Sequence, residues 1–189
     1  MKLFFDTEFT EFTGLHKNTT LISIGIVSED NKTFYAEFVD YDKEQLDDWL
    51  NDNIISKLIY GGLHYPEDFN ANTQSFSFSG SDDHITRFGT KNKIKEKLTG
   101  WLKQFKSVEM WSDCLAYDWV LFNDIFGTAF DIPSNILYIP FDLCTLLKTK
   151  GVDPDISRER LANIKGEDKK HNALWDAKII KLCYERVFL

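Results

Sequence analysis

Within its first forty residues the chain holds three runs dense in β-branched and aromatic side chains. Residues 3–9, Leu21–Ser28 (LISIGIVS, around Gly25) and residues 32–39 (KTFYAEFV) each read as a strand, the third by clear alternation. A connection as short as residues 28–31 makes neighbouring strands antiparallel, so the chain opens as a meander.

Beyond the meander the period changes. Residues 43–60 carry Leu46, Trp49, Leu50, Ile54, Ile55, Leu58 and Ile59 at spacings mainly of three and four, which predicts one amphipathic helix stopped by Gly61-Gly62. Residues 61–84, rich in Gly, Asn, Ser, Asp and Phe, read as an exposed loop. Helix and strand then alternate: helix over 92–105, strand over 108–112, helix over 118–126, strand over 136–141, and helices over Leu143–Thr149 and from 172 to the C-terminus. This order predicts an α/β fold, a mixed sheet of three antiparallel strands and then parallel ones, with helices on both faces. The 189 residues fit a single domain, 1–189, able to bury its own core.

Met-Lys-Leu-Phe-Phe-Asp reaches a carboxylate at position 6 and lacks the apolar core and small-residue cleavage site of a secretory signal. No run approaches membrane-spanning length. Three scattered cysteines without CxxC spacing suit reduced thiols, so the expectation is a cytoplasmic protein with no membrane partner. A net charge of -8 argues against broad duplex binding, because phosphate affinity depends on clustered Lys and Arg. Residues 87–106 depart from this balance, with Arg87, Lys91, Lys93, Lys95, Lys97, Lys103 and Lys106 against Glu96 alone. Such a stripe could steer a strand, but a solvated helix face is its commoner explanation.

Phe4-Phe5-Asp6-Thr7-Glu8-Phe9 sets two acids into a strand otherwise built for burial. Side chains two apart share a face, so Asp6 and Glu8 converge while Phe5, Thr7 and Phe9 take the other side. Adjacent carboxylates repel unless cations separate them, and such hard oxygen donors suit Mg²⁺ or Mn²⁺. An isolated Asp-x-Glu is more often a solvated strand end. Two further acids change the balance. Asp118 lies on the helical stripe of Leu121, Phe122 and Ile125 and so points inward, where a charge needs a partner. In His171-Asn172-Ala173-Leu174-Trp175-Asp176-Ala177, Asp176 shares a stripe with Ala173, Ile180, Cys183 and Val187, and the two small alanines allow close approach to the sheet. His171, five residues ahead of Asp176, would face elsewhere on a helix, which places it on the preceding loop, free to reach a reacting water. His16, His64 and His84 lack such company and read as surface or capping residues. The acids together could hold two ions bracketing a phosphate for in-line displacement. A neutral imidazole, with an ordinary pKa of about 6.5, is matched to accept the proton of the attacking water.

Asp6-Thr7-Glu8, Tyr117-Asp118 and the His-x-Ala-x-x-Asp-Ala run from His171, spanning residues 6–176, resemble the DEDD exonucleases of the histidine subtype within the RNase H-like superfamily. That group includes oligoribonuclease, RNase T and polymerase proofreading subunits, and the FFDTEFTE opening is most similar to compact bacterial and phage 3'-5' exoribonucleases. The resemblance implies an RNase H-like sheet and 3'-5' hydrolysis of single-stranded RNA ends to nucleoside 5'-monophosphates. It implies two Mg²⁺ or Mn²⁺ ions on Asp6, Glu8, Asp118 and Asp176, with His171 as general base. It also implies that the backbone of Phe9 and Thr10 meets the terminal nucleotide, with Phe9 as a stacking wedge, and that the chain pairs as a twofold homodimer. Residues 61–84 have no counterpart in the family's minimal core.

Alternatives stay open. Only recognition of the ribose 2'-hydroxyl separates RNA from DNA, and no residue announces it, so a 3'-5' DNA exonuclease is a second reading. A catalytically silent nucleic-acid-binding module would suit a chain with one carboxylate replaced by Asn or Ser, yet all five groups are present. A partner-binding globule leaves five convergent polar residues as coincidence. Asp113 and Asp142, where strands end, read as turn or N-cap residues rather than catalytic ones. Residues 151–170 read as a solvated connection, with Lys169 and Lys170 beside His171 placed to touch phosphate.

Overall fold

The computed structural model describes residues 1–10, 18–60, 76–77, 83–165 and 169–188. His16, His64 and most of 61–84 lie outside them. In chain order the elements are β1 (Lys2–Phe9), β2 (Leu21–Ser28), β3 (Thr33–Phe38), α1 (Asp48–Asn53), β4 (Phe76–Ser77), β5 (His84–Gly89) and α2 (Lys91–Leu102). They continue as β6 (Glu109–Ser112), α3 (Leu115–Phe126), β7 (Phe141–Asp142), α4 (Leu143–Thr149), α5 (Arg158–Ala162) and α6 (Ala173–Phe188). The strands form one sheet in the order β4-β5-β3-β2-β1-β6-β7. β1, β2 and β3 pair antiparallel, whereas β5 joins β3, β6 joins β1 and β7 joins β6 in parallel. This is the expected mixed α/β sheet, consistent with an RNase H-like arrangement.

Alternation along β1 sends its side chains to two apolar layers. Leu3 and Phe5 join Ile24, Ile26 and Phe34 under α2 and α3. Phe4 and Val27 lie under α6 and α4, against Ala177, Ile180 and Leu143. Helices thus cover both faces, and every residue of β2 and β3 is buried. Asp6 pairs across the ladder with Gly25 of β2. A Cβ at Gly25 would lie 2.2 Å from the backbone of both Ala173 and Leu174, so the first turn of α6 rests on β2 at backbone contact. Glycine on the strand, with fully buried Ala173 and Ala177 on the helix, makes that approach sterically possible.

Three expectations need correction. Residues 43–60 are not one helix: a 3-10 turn (Lys43–Gln45), α1 and a second 3-10 turn (Ile55–Lys57) replace it. Asp47 caps α1 by accepting from Leu50 N–H at 2.7 Å, which restarts the helix inside the periodic stretch. Farther on, the buried Glu37 carboxylate of β3 accepts the N–H groups of Ile59 (2.6 Å) and Tyr60 (3.1 Å), an alternative to helical partners. The strand expected over 136–141 contracts to a bridge at Ile136 and the two residues of β7. Pro140 offers no N–H, and Leu137, Tyr138 and Ile139 are exposed. Finally, β4 lies within the stretch read as loop, and β5 runs on from its last residue, His84, whose exposed ring pairs with Thr33 Oγ1 at 3.1 Å. β5 buries only Phe88 and Gly89, so pairing with β3 rather than an apolar period defines it.

The basic stretch covers β5 within the sheet, α2 and the residues just after it, and α2 packs on the face that carries Leu3 and Phe5, opposite Asp6 and Glu8. Lys91 pairs with Asp124 at 2.9 Å, Lys97 with Glu96 at 3.1 Å, and Lys95 donates to the Phe126 carbonyl at 2.6 Å. A solvated helix face is the reading these contacts favour. Among the described residues no helix is long and apolar enough to cross a membrane.

Candidate active site

β6 accompanies β1 only from Lys2 to Phe4, then turns into α3. Past Phe4 the edge of β1 is open, at the carboxyl ends of two parallel strands, where open α/β sheets form crevices. Asp118, only 2% exposed in the first turn of α3, fills that edge. It accepts from Thr7 N–H at 3.2 Å and Thr7 Oγ1 at 2.5 Å, and also from the Ser112 hydroxyl. Thr7 and Asp6 point to opposite faces of β1, so one strand segment receives acids from both layers.

Candidate ligand oxygens of Asp6, Glu8 and Asp176 all lie within 4.8 Å of one another, as do those of Asp6, Asp113 and Asp118. Asp6 belongs to both groups. Burial, then Asp118, Glu8, Asp176 and Asp113, push its pKa well above the carboxylate range. Burial, then Asp176 and Asp118, do the same to Glu8. Burial raises Asp118 to about 7 against the lowering effect of its Ser112 and Thr7 donors. Asp176 also rises to about 7, chiefly by burial. Among the described residues no Lys or Arg forms an ion pair with any of these four. Clustered hard oxygens with uncompensated charge fit small divalent cations.

The His171 backbone has φ +66°, the left-handed region, and its N–H donates to Asp176 Oδ2 at 2.8 Å. Asn172 accepts from Trp175 N–H at 3.2 Å, capping α6, while its amide donates to the Lys57 carbonyl at 3.1 Å. The His171 ring points to the tip of α1, edge-on to Trp49 with centroids 5.4 Å apart. The main chain of His171 is thus tied to Asp176 while its ring packs against α1. Burial first, then Lys170 and Lys57, lower the imidazole pKa below its ordinary value. Asp6, Glu8, Trp49, Arg158, His171 and Asp176 line one cleft of about 670 Å³.

A family model described as the 3'-5' exoribonuclease Rv2179c-like domain matches residues 1–188. The chain belongs to this family. Two relatives from Mycobacterium tuberculosis are the 3'-5' exoribonuclease Rv2179c of strain ATCC 25618 / H37Rv and the 3'-5' exoribonuclease MT2234.1 of strain CDC 1551 / Oshkosh. Each is 26% identical over 180 residues, which cover 94% of this chain and 88% of the relative.

In this Rv2179c-like domain Phe9 and Thr10 also border the cleft. A register shift between Glu8 and Phe9 bends the strand there, and the Phe9 ring packs 6.2 Å from Tyr117. Thr10 N–H is committed to the Thr20 carbonyl at 2.9 Å. Two residues were not foreseen. Asp113 is no N-cap: Cys114 holds that position at α3, and the Asp113 carboxylate joins Asp6 and Asp118. Its place at the carboxyl end of a parallel strand was the available signal. Arg158 comes from the stretch read as a solvated connection, which contains α5, with Glu159 buried, and borders the cleft. No local pattern announced it. Asp142 does cap α4, accepting from Thr145 N–H at 2.8 Å.

Proposed function

We propose that the chain is a metal-dependent 3'-5' exoribonuclease of the DEDD type, histidine subtype. The observation that carries this reading is Asp6 shared between two carboxylate groups whose oxygens lie within 4.8 Å, beside His171 in one cleft. Asp6, Glu8, Asp118 and Asp176 would hold two Mg²⁺ or Mn²⁺ ions, which supply Lewis-acid stabilisation of charge developing on the phosphoryl oxygens. The cluster itself, by its negative charge, selects divalent cations.

In this reading His171, which lines the same cleft, is the group that takes the proton. Its pKa is lowered, so the imidazole is neutral at pH 7 and accepts the proton of the attacking water. Water oxygen bonds to phosphorus as the bond to the 3'-oxygen breaks. The products are a nucleoside 5'-monophosphate and a strand with a new 3'-hydroxyl. Single-stranded RNA is the preferred substrate on the strength of the relatives' names.

The test uses 5'-labelled single-stranded RNA and DNA of one sequence, with Mg²⁺, Mn²⁺ or EDTA. A descending ladder from the 3' end, faster on RNA and absent in EDTA, is the expected result. His171→Ala should lower kcat by ~10²–10⁴-fold, the usual worth of a positioned base. Asp6→Asn should abolish the ladder. Faster digestion of DNA would move the assignment to the deoxy substrate, and undiminished activity in Asp6→Asn would remove the proposed centre.

A further inference from the structure

Asp113 stands outside the four carboxylates of the reading above, yet its oxygen lies within 4.8 Å of those of Asp6 and Asp118. It is also the one member of the cluster with a cationic partner among the described residues: Arg158 Nε donates to Asp113 Oδ2 at 2.8 Å. The rest of the guanidinium is committed as well. One terminal nitrogen donates to the Ile156 carbonyl at 2.7 Å, and the other lies 3.0 Å from the Pro154 carbonyl and 2.9 Å from Cys144 Sγ. The Cys144 thiol in turn donates to the Asp113 carbonyl at 3.0 Å. Both the carboxylate and the main chain of Asp113 are therefore fixed from the 144–158 side.

A guanidinium with all three nitrogens engaged, its side chain only 18% exposed, has most of its five N–H donors committed within the protein rather than offered to a substrate. It acts on what it holds. A carboxylate offers about four lone-pair directions, and Arg158 occupies one of them. We infer that Arg158 is a positioning residue that holds Asp113 as a fifth carboxylate of the cation site, on the side shared by Asp6 and Asp118. The inference rests on the cation site proposed above. The guanidinium plane, itself held by Ile156, Pro154 and Cys144, fixes the direction of the single Nε contact to Asp113, which a flexible ammonium would not do, and its positive charge offsets part of the repulsion around Asp6.

The experiment titrates Mn²⁺ into the full chain without RNA, by calorimetry and electron paramagnetic resonance, for the unaltered protein and for Arg158→Gln, Arg158→Lys, Asp113→Asn and the double variant Asp113→Asn/Arg158→Gln. Circular dichroism and melting checks accompany each protein. Two ions should bind the unaltered chain. Arg158→Gln should weaken one of them ~10–100-fold, the usual cost of losing a residue that orients a ligand. Arg158→Lys should also fall short, and it carries the test if Arg158→Gln does not fold. The double variant should bind no worse than Asp113→Asn, because Arg158 acts through that carboxylate. Equal Mn²⁺ affinity in both folded Arg158 variants, or additive losses in the double variant, would overturn this inference and leave the cation site standing. No Mn²⁺ uptake by the unaltered chain would overturn both.

Discussion

Thr7 does two jobs that its neighbours in β1 cannot. Its hydroxyl and its N–H both donate to Asp118, so a carboxylate from α3 is held at a strand whose own acids face the other layer. Thr7→Val keeps the β-branched shape and removes only the hydroxyl. We expect a loss of about 1–3 kcal/mol, the cost of leaving a buried charged acceptor short of a donor, measured by urea unfolding in EDTA. The inward position of Asp118 was legible in the sequence because it needs only helical periodicity. The roles of Thr7 and Asp113 were not, because a threonine in a strand and an acid at a strand end each have commoner uses, and only the partner across space distinguishes them.

Between elements, the contact that places the candidate site is α6 on β2. The helix carries Asp176, and His171 and Asn172 lead into it, so its seat on the sheet sets their depth in the cleft. Gly25→Ala would put a methyl 2.2 Å from the Ala173 and Leu174 backbone, which must move. The expected cost is roughly 3 kcal/mol, the upper part of the usual range for overpacking, read as a lower melting midpoint. Residual exonuclease activity should fall further than stability alone explains, because the displaced turn holds the His171 N–H against Asp176. Ala173 and Ala177 announced the close approach from the helix side. The breakage of 43–60 was hidden, since its apolar spacing is helical and one competing partner, the Glu37 carboxylate that takes the Ile59 and Tyr60 N–H groups, lies 22 residues before Ile59.

For the whole molecule, the cluster links stability to pH and to cations. Asp118 and Asp176, with pKa raised from 3.8 to about 7, hold their protons more tightly folded than unfolded. The folded state therefore binds more protons between those values, and stability falls as pH rises from near 4 through about 7. Asp6 and Glu8, shifted the same way, add to the effect. In EDTA the melting midpoint should drop between pH 5 and pH 8. Mg²⁺ or Mn²⁺ should restore it, with a larger increment at pH 8, and saturation at a hundredfold excess over Kd corresponds to about 2.7 kcal/mol. An increment independent of pH would mean that the ions bind elsewhere than at these carboxylates. The net charge of -8 is thus unevenly spread, with buried acids under α6 and paired lysines on α2 beyond the sheet.

By itself the sequence determined the mixed sheet, the helices that cover it, the shared face of Asp6 and Glu8 and the inward turn of Asp118, since period and face are local properties of a chain. The tertiary structure decided which acids meet, and that Asp113 is among them. Arg158 reaches Asp113 across 45 residues, and Thr7 reaches Asp118 across 111. Distances of that kind depend on how layers stack, and stacking depends on side-chain volumes such as the missing Cβ of Gly25, whose effect is felt only once α6 has come down upon it.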